Sequence, residues 1–253
     1  MNKIKHIFRV GWKIFFIVNF SLSLLVVYPL FYLFFLSDKT LPNAFRLFKL
    51  WARYITVSSG IKVKIICEDK FPDPPYVICP NHTSYLDIII AYNAFPDYFV
   101  FMGKQELVKI PFFNVFFKRM HILVDRNSKS ASHRSFLKAA EKIDQGACMI
   151  IFPEGTISKN APRLSPFKNG PFKLAIDKQV PLIPVTYVSN YKILGNGSFW
   201  NASCGPGKSI VYIHKAIRTS NLDLTEIKEK VYTLLDGKIS EHLYRQNPKA
   251  PSY

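Results

Sequence analysis

Acidic side chains are scarce: 17 Asp and Glu stand against 34 Lys and Arg in 253 residues, which leaves a net charge of +17. That bias calls for anionic partners such as phosphate esters, acidic proteins, anionic lipid or nucleic acid, and charge alone does not choose among them. Cysteine is also sparse. Cys67, Cys79, Cys148 and Cys204 lie far apart with no CxxC pair, which removes the common zinc and redox patterns and leaves reduced, cytosolic thiols as the simplest reading. No Gly/Ser/Pro-rich linker divides the chain and no internal repeat is visible, so one globular unit with an attached N-terminal element is expected. Without GxxxxGK[ST] a nucleotide P-loop has no support, and without GxSxG a covalent hydrolase has no nucleophile. Asn-x-Ser/Thr triplets at Asn81, Asn196 and Asn201 are short enough to arise by chance and carry no weight.

What is present begins with an apolar run. "IFFIVNFSLSLLVVYPLFYLFFL", from Ile14 to Leu36, has 23 residues and no charge, and at ~1.5 Å per residue such a helix matches a hydrocarbon core of about 30 Å. It is too long for a signal peptide, and no small-residue cleavage site follows it. Pro29 removes one helical hydrogen bond, so a straight span and a re-entrant segment both satisfy the sequence. Lys3, Lys5, Arg9 and Lys13 precede the run and favour a cytosolic N-terminus. The next stretch, "LPNAFRLFKLWARYITVSSG", reads as an amphipathic helix over 42–57. Arg46, Lys49 and Arg53 form one stripe, with Ala44, Phe45, Phe48, Trp51, Ala52 and Ile55 opposite. That is an interfacial pattern, cations for headgroups and aromatics for the acyl boundary. The alternative is a surface helix packed on the core; the preceding apolar run favours membrane contact.

From residue 61 onward short β-branched or aromatic runs alternate with helical stretches. Strands are expected at 61–67, 75–79, 98–102, 121–125, 147–152, 181–188 and 209–214, and helices at 84–94, 111–119, 130–145, 168–178 and 223–244. The alternation predicts an α/β fold, a mixed, mostly parallel sheet flanked by helices. In the helix ending at Gly146, Phe136, Leu137, Ala140 and Ile143 are expected to face the core. The domain organisation is then a membrane-associated helical element over 1–58, an α/β domain over 59–245 and a disordered tail over 246–253.

Reactive groups in α/β folds gather where strands turn into helices. "YVICPNHTSYLDIII" puts His82 on such a turn, with Thr83 or Ser84 able to cap the helix that carries Asp87. Five helical residues are about 140° out of phase, so the pair meets only if His82 stays in the turn. A carboxylate on one imidazole nitrogen then fixes the tautomer and leaves the other free to take a proton. The competing reading is that His82 bonds the turn's backbone while Asp87 answers the helix dipole. In "CMIIFPEGTIS", Pro153 ends a strand, Gly155 lets a ligand approach the backbone, amides near Gly155 and Thr156 suit a phosphate or diol, and Glu154 offers an acceptor for a substrate hydroxyl. A strand-ending turn with no ligand is the alternative.

Together the blocks "NHTSYLD", "GKQEL" (103–107), "FPEGT" (152–156) and "VPLIPV" (180–185) stand in the order and spacing of the glycerolipid acyltransferase family, and over roughly residues 60–215 the chain resembles its bacterial 1-acylglycerol-3-phosphate branch. "VDR" (124–126), "FKNGPFKLAI" (167–176) and the N-terminal two-helix element are similar too. The resemblance implies an O-acyltransferase in which His82 is the general base, oriented by Asp87, with direct attack of a lysolipid hydroxyl on an acyl thioester. It implies Glu154, Gly155 and Thr156 around the acceptor, Lys104 at the oxyanion or CoA phosphate, Arg126 and Lys168 as phosphate ligands, and Pro181 and Pro184 as pocket-shaping residues. The family's third block usually continues with arginine, where this chain has Ile157. Either another cation substitutes, with Arg163 first in line, or the acceptor lacks a phosphomonoester, as a lyso-aminolipid would. The implied partners are a lysolipid, acyl-CoA or acyl carrier protein as co-substrate, and an anionic membrane surface, with the active domain on the cytoplasmic face of a bacterial inner membrane. No metal, bound cofactor or nucleic acid is implied. A non-catalytic lipid-binding scaffold is the rival, opposed by the intact His82, Asp87, Glu154 and Gly155.

Overall fold

The computed structural model describes residues 3–104, 116, 119–124 and 128–246. Of the expected features, most of the 111–119 helix, Arg126 and the tail beyond 246 lie outside the described residues, as does the side chain of Lys104.

The described residues form a seven-stranded sheet: β1 (Ile61–Cys67), β2 (Val77–Pro80), β3 (Phe99–Lys104), β4 (Ile122–Val124), β5 (Cys148–Ile150), β6 (Leu182–Tyr187) and β7 (Gly207–Ile213), in the order β1-β7-β6-β2-β5-β3-β4. The β6–β7 pair is antiparallel and every other pair parallel. Both faces are covered, as a largely parallel sheet requires. In β2 and the residue before it, Tyr76 and Ile78 enter one core while Val77 and Cys79 enter the other, the two-residue alternation of a strand. The first core holds α1 (Lys3–Phe34), α2 (Leu41–Ser58) and α3 (Leu86–Ala94); the second holds α4 (Lys129–Asp144), α5 (Gly170–Asp177) and α7 (Leu224–Gln246). A one-turn helix, α6 (Asn190–Ile193), follows β6. On α4 the expected core residue Leu137 is instead 54% exposed, and Ala139 is buried. Leu137 lies about 100° around the helix from Phe136, off the stripe that Ala140 and Ile143 continue.

The N-terminal element is an antiparallel hairpin laid on the domain. Asn19 and Ser23, the polar interruptions of the apolar run, are its stitches: Asn19 Nδ2 donates to Ser58 Oγ (2.8 Å) and Trp51 Nε1 to Ser23 Oγ (3.0 Å). Trp12 Nε1 reaches Ser59 O near the open end, and Thr40 Oγ1 reaches Phe34 O at the turn. Ala44, Phe45, Phe48, Trp51, Ala52 and Ile55 are all buried, as the periodicity requires. They are not turned to lipid, however. Phe48 stacks on Tyr92 of α3 (5.0 Å between centroids) and Phe45 meets Phe99 of β3 edge-on. The interfacial reading of this face is therefore corrected to core packing: an amphipathic stripe records that a face is dry, not what dries it.

α1 is the helix among the described residues that is long and apolar enough to cross a membrane. Its inner stripe, Trp12, Phe16, Leu24 and Phe31, is buried on the protein along most of its length, while Ile7, Phe15, Leu22, Val26 and Leu33 are exposed on the outside. Two of the cations expected to mark membrane orientation have local duties instead. Arg9 donates to the carbonyls of Asn201 and Ala202, and buried Lys13 to that of Phe199.

Candidate active site

The chain leaves the sheet at Pro80 and is pinned there. Asn81 replaces the missing ladder by pairing with Tyr187 of β6 twice, Nδ2 donating to its carbonyl (3.0 Å) and Oδ1 accepting from its amide (2.7 Å). His82 follows in the turn, and α3 begins at Leu86, whose amide is accepted by Ser84 Oγ (3.0 Å). Asp87 then lies in the first turn of α3, and its Oδ2 is 2.9 Å from His82 Nδ1. Because Oδ2 also accepts the amides of Thr83 (2.6 Å) and Ser84 (2.9 Å), it is an acceptor, and Nδ1 is the donor. Nε2 then carries the free lone pair, with no partner among the described residues. Both readings of the sequence motif are thus partly realised: the aspartate does cap the turn, and it also meets the imidazole.

The end of β5 supplies the rest of the frame. Phe152 stacks on the His82 ring at 3.9 Å between centroids and 18° between planes. Glu154, only 4% exposed, accepts the His82 amide on Oε1 and the Ser165 amide on Oε2, both at 2.8 Å. Each oxygen accepts one backbone amide, so the carboxylate is a clasp between His82 and the loop beyond it. Burial pushes its carboxyl above the usual range, and the two amides act against that rise.

Gly155 needs its lack of a side chain twice over. Its φ is +74°, and a Cβ would sit 3.1 Å from Lys168 Nζ and 3.3 Å from Lys168 Cδ. Lys168 therefore lies across Gly155, anchored by its own amide on Pro153 O (2.8 Å), and its ammonium has no described partner. The Arg163 carbonyl accepts from Ser158 Oγ, and neither Arg163 nor Lys168 is among the residues lining the cavity described below. The cation lying against Gly155 is Lys168. Ile157, at the position where arginine was expected, is 7% exposed and lines the cavity. Pro184 is buried in β6 opposite Cys79 and is not among the residues lining the cavity described below. Thr156 lines the cavity. Lys104 closes β3, paired with Val124.

The cavity encloses about 440 Å³. His82, Phe152, Gly155, Thr156 and Ile157 form one part of its wall, and Phe16 and Phe20 of α1, Trp51 of α2 and Tyr92 of α3 form much of the rest. His121 also lines it, and burial holds that imidazole down to about 3, neutral at ordinary pH. His82 thus lies in the wall of a largely apolar space whose other wall is the N-terminal hairpin. Among the described residues no cluster of His, Cys, Asp and Glu could hold a metal ion.

The acyltransferase family matches residues 62–188, from β1 to just past β6. The chain belongs to that family. Among curated acyltransferases, it is 34% identical over 179 residues to a chloroplastic 1-acyl-sn-glycerol-3-phosphate acyltransferase of Brassica napus, covering 70% of this chain and 51% of that one. It is 31% identical over 175 residues to a 1-acyl-sn-glycerol-3-phosphate acyltransferase of Saccharomyces cerevisiae, covering 67% and 56%. With the acyltransferase of that name from Haemophilus influenzae it shares 30% over 189 residues, 72% of this chain and 76% of the other. The chain spans about half the length of the first two. The fold is similar to the crystal structure of the 1-acyl-sn-glycerophosphate (LPA) acyltransferase PlsC from Thermotoga maritima, with TM-score 0.73 and 20% identity over 96% of this chain and 98% of that one.

Three residues of the acyltransferase site were not singled out in the sequence: Phe152, Asn81 and Asn190, whose Nδ2 donates to Asp87 Oδ1 at 2.8 Å. Phe152 and Asn81 adjoin conspicuous motif residues, which was the available clue. Asn190 had none, because its partner is 103 residues away.

Proposed function

We propose that the chain is a membrane-associated O-acyltransferase that moves a fatty acyl group from acyl-CoA or acyl carrier protein to the sn-2 hydroxyl of lysophosphatidate, giving phosphatidate. The observation that carries this reading is His82, with Nδ1 on a buried carboxylate and Nε2 open to a mostly apolar cavity. Nε2 takes the proton of the acceptor hydroxyl while that oxygen attacks the thioester carbonyl. The carbonyl π pair moves to oxygen; its return re-forms the carbonyl and breaks the C–S bond, and the imidazolium gives its proton to the departing sulfur. The products are an ester and a thiol, with no acyl-enzyme. Asp87 stabilises the imidazolium between the two transfers. Lys104 is the donor to the developing oxyanion and Arg126 a second phosphate cation, the roles implied by the family. No metal or bound cofactor takes part.

Lys168 is the cation for the acceptor phosphate. Lys168→Ala is expected to raise KM for lysophosphatidate about tenfold, the scale of one partly exposed charged hydrogen bond, with kcat nearly unchanged and most of the affinity restored in Lys168→Arg. Steady-state kinetics against acceptor concentration test this; an unchanged KM in the alanine variant removes the assignment.

The chain lies along one leaflet. α1 is buried against the domain on its inner side along most of its length, so it cannot cross a bilayer without taking that domain with it, whereas its outer side is apolar and exposed. The active domain faces the cytoplasm, where the +17 surface meets CoA, acidic carrier protein and anionic headgroups.

The deciding experiment supplies the purified chain in lipid with labelled acyl-CoA or acyl carrier protein and a panel of lysophosphatidate and lyso-aminolipid. Transfer to lysophosphatidate supports the reading in full. A second acceptor class is favoured by one observation, the apolar Ile157 in the cavity wall; transfer to phosphate-free acceptors alone would keep the mechanism and replace the substrate. No transfer to either would leave a lipid-binding scaffold.

A further inference from the structure

The buried Asp87 carboxylate takes five hydrogen bonds. Three donors converge on Oδ2: His82 Nδ1 and the amides of Thr83 and Ser84. Oδ1 has two, Asn190 Nδ2 at 2.8 Å and the Thr83 hydroxyl at a long 3.3 Å. Asn190 is the one partner in this set that comes from outside the turn itself. It opens α6, across the sheet end from α3, and its own Oδ1 accepts the hydroxyl of Ser209 on β7 at 2.6 Å. Asp87, Asn190 and Ser209 are each fully buried. The amide has a single consistent orientation. An ionised carboxylate only accepts, so Nδ2 must face Asp87 and Oδ1 must face Ser209.

We propose that Asn190, held by Ser209, is a positioning residue for the acid–base pair: it fixes the plane of the Asp87 carboxylate so that Oδ2 faces His82, and it limits how tightly that carboxylate holds the imidazolium. The proposal rests on the His82–Asp87 reading above. Without the amide, Oδ1 keeps only the long Thr83 contact, so the carboxylate can turn about its last bond and Oδ2 loses its aim. The hydrogen bond also draws charge from the carboxylate. Removing it leaves a stronger base beside Nδ1, and His82 then keeps its proton to higher pH.

Other titratable groups face the pair from the elements packed around it. Glu154, from the end of β5, is bound by backbone amides, and Lys168 lies over Gly155. Tyr187 on β6 and Cys79 on β2 are buried, and burial raises both so that they stay neutral. His121, on the cavity wall beside β4, is neutral for the same reason. Lys192, on α6 itself, donates to Gln246. None of these groups changes when Asn190 is replaced, so a moved pH limb reports on Asp87 and His82.

The test compares wild type with Asn190→Ala, Asn190→Asp and Ser209→Ala, all full-length in lipid, with kcat, both KM values and the pH dependence of kcat/KM measured per folded molecule. Asn190→Ala is expected to lower kcat at least tenfold, with both KM values within about twofold, and to move the acid limb to higher pH. Asn190→Asp, nearly isosteric, sets a second carboxyl against Asp87, and a proton shared between the two restores a donor to Oδ1, so this variant is expected to keep more kcat than Asn190→Ala. Ser209→Ala shifts the acid limb the same way as Asn190→Ala, by less. Should Asn190→Ala fold poorly, the other two variants carry the comparison. An acid limb that stays in place in the alanine and serine variants, with kcat within twofold of wild type, overturns the proposal. Activity loss matched by loss of folded protein, with no pH shift, overturns it as well. His82→Ala in parallel separates the two levels: if that variant stays active the dyad reading falls, and if it is inactive while the Asn190 and Ser209 variants behave as wild type, only this inference falls.

Discussion

His82→Ala is expected to abolish acyl transfer, with kcat down by at least about 10³-fold, while the protein still folds and still floats with vesicles. General-base catalysis contributes about 10²–10⁴-fold on its own, and no neighbour can take over the proton. Glu154 has both oxygens on backbone amides, and His121 is held neutral in a hydrogen-bonded setting, its Nδ1 accepting the Phe101 amide. Folding should survive because Asp87 keeps the amides of Thr83 and Ser84 and the Asn190 donor when the imidazole is gone. Membrane binding should survive because α1 lies outside the altered contacts. Turnover, thermal midpoint and vesicle flotation measured on one preparation check all three. A variant that retains a tenth of wild-type kcat would remove His82 as the base and, with it, the direct-attack mechanism.

The parts of this molecule written in neighbouring residues were legible. Each of the seven strands lies where β-branched and aromatic runs placed it, and the six apolar residues assigned to one face of α2 are all buried, since both patterns need only a local period and a dry partner. His82 and Asp87 belong with these, five positions apart on one turn. What failed was direction. The same stripe on α2 serves a lipid or a protein core, and only the tertiary structure shows Phe48 against Tyr92. Contacts of long sequence separation failed for a related reason. That Glu154 belongs to the His82 amide 72 residues back, that Asn190 belongs to Asp87, and that Lys168 crosses Gly155 are consequences of the sheet order, which brings the ends of β2, β5 and β6 side by side. Function gathers where the order of strands departs from the order of sequence, so the supporting residues are hidden even when the reacting ones are plain.

Glu154→Gln tests that distinction most sharply, because the backbone clasp seen in the structure and the acceptor role expected from the sequence predict different losses. As a clasp, Glu154 offers two acceptors to two backbone donors, His82 N–H and Ser165 N–H, each at 2.8 Å. Glutamine keeps the shape but offers one acceptor and one donor, so one buried amide must face an NH₂ group and loses its partner. Leaving a buried donor unsatisfied costs about 1–3 kcal/mol, which in a domain of this size lowers Tm by roughly 4–8 °C for a loss near 2 kcal/mol. The kinetic effect should be larger than the stability effect. If the His82 amide is the one released, the ring slides against Phe152 and away from Asp87, and small misplacements of a reacting group cost up to about 10²-fold. The clasp therefore predicts a fall in kcat of tenfold or more together with a lowered Tm, and acceptor KM nearly unchanged. A ligand for the acceptor hydroxyl predicts the reverse: acceptor KM rises, while Tm and the kcat reached at saturation hold. Thermal melts and acceptor titrations of the one variant separate the two, and a selective rise in KM would return Glu154 to the substrate.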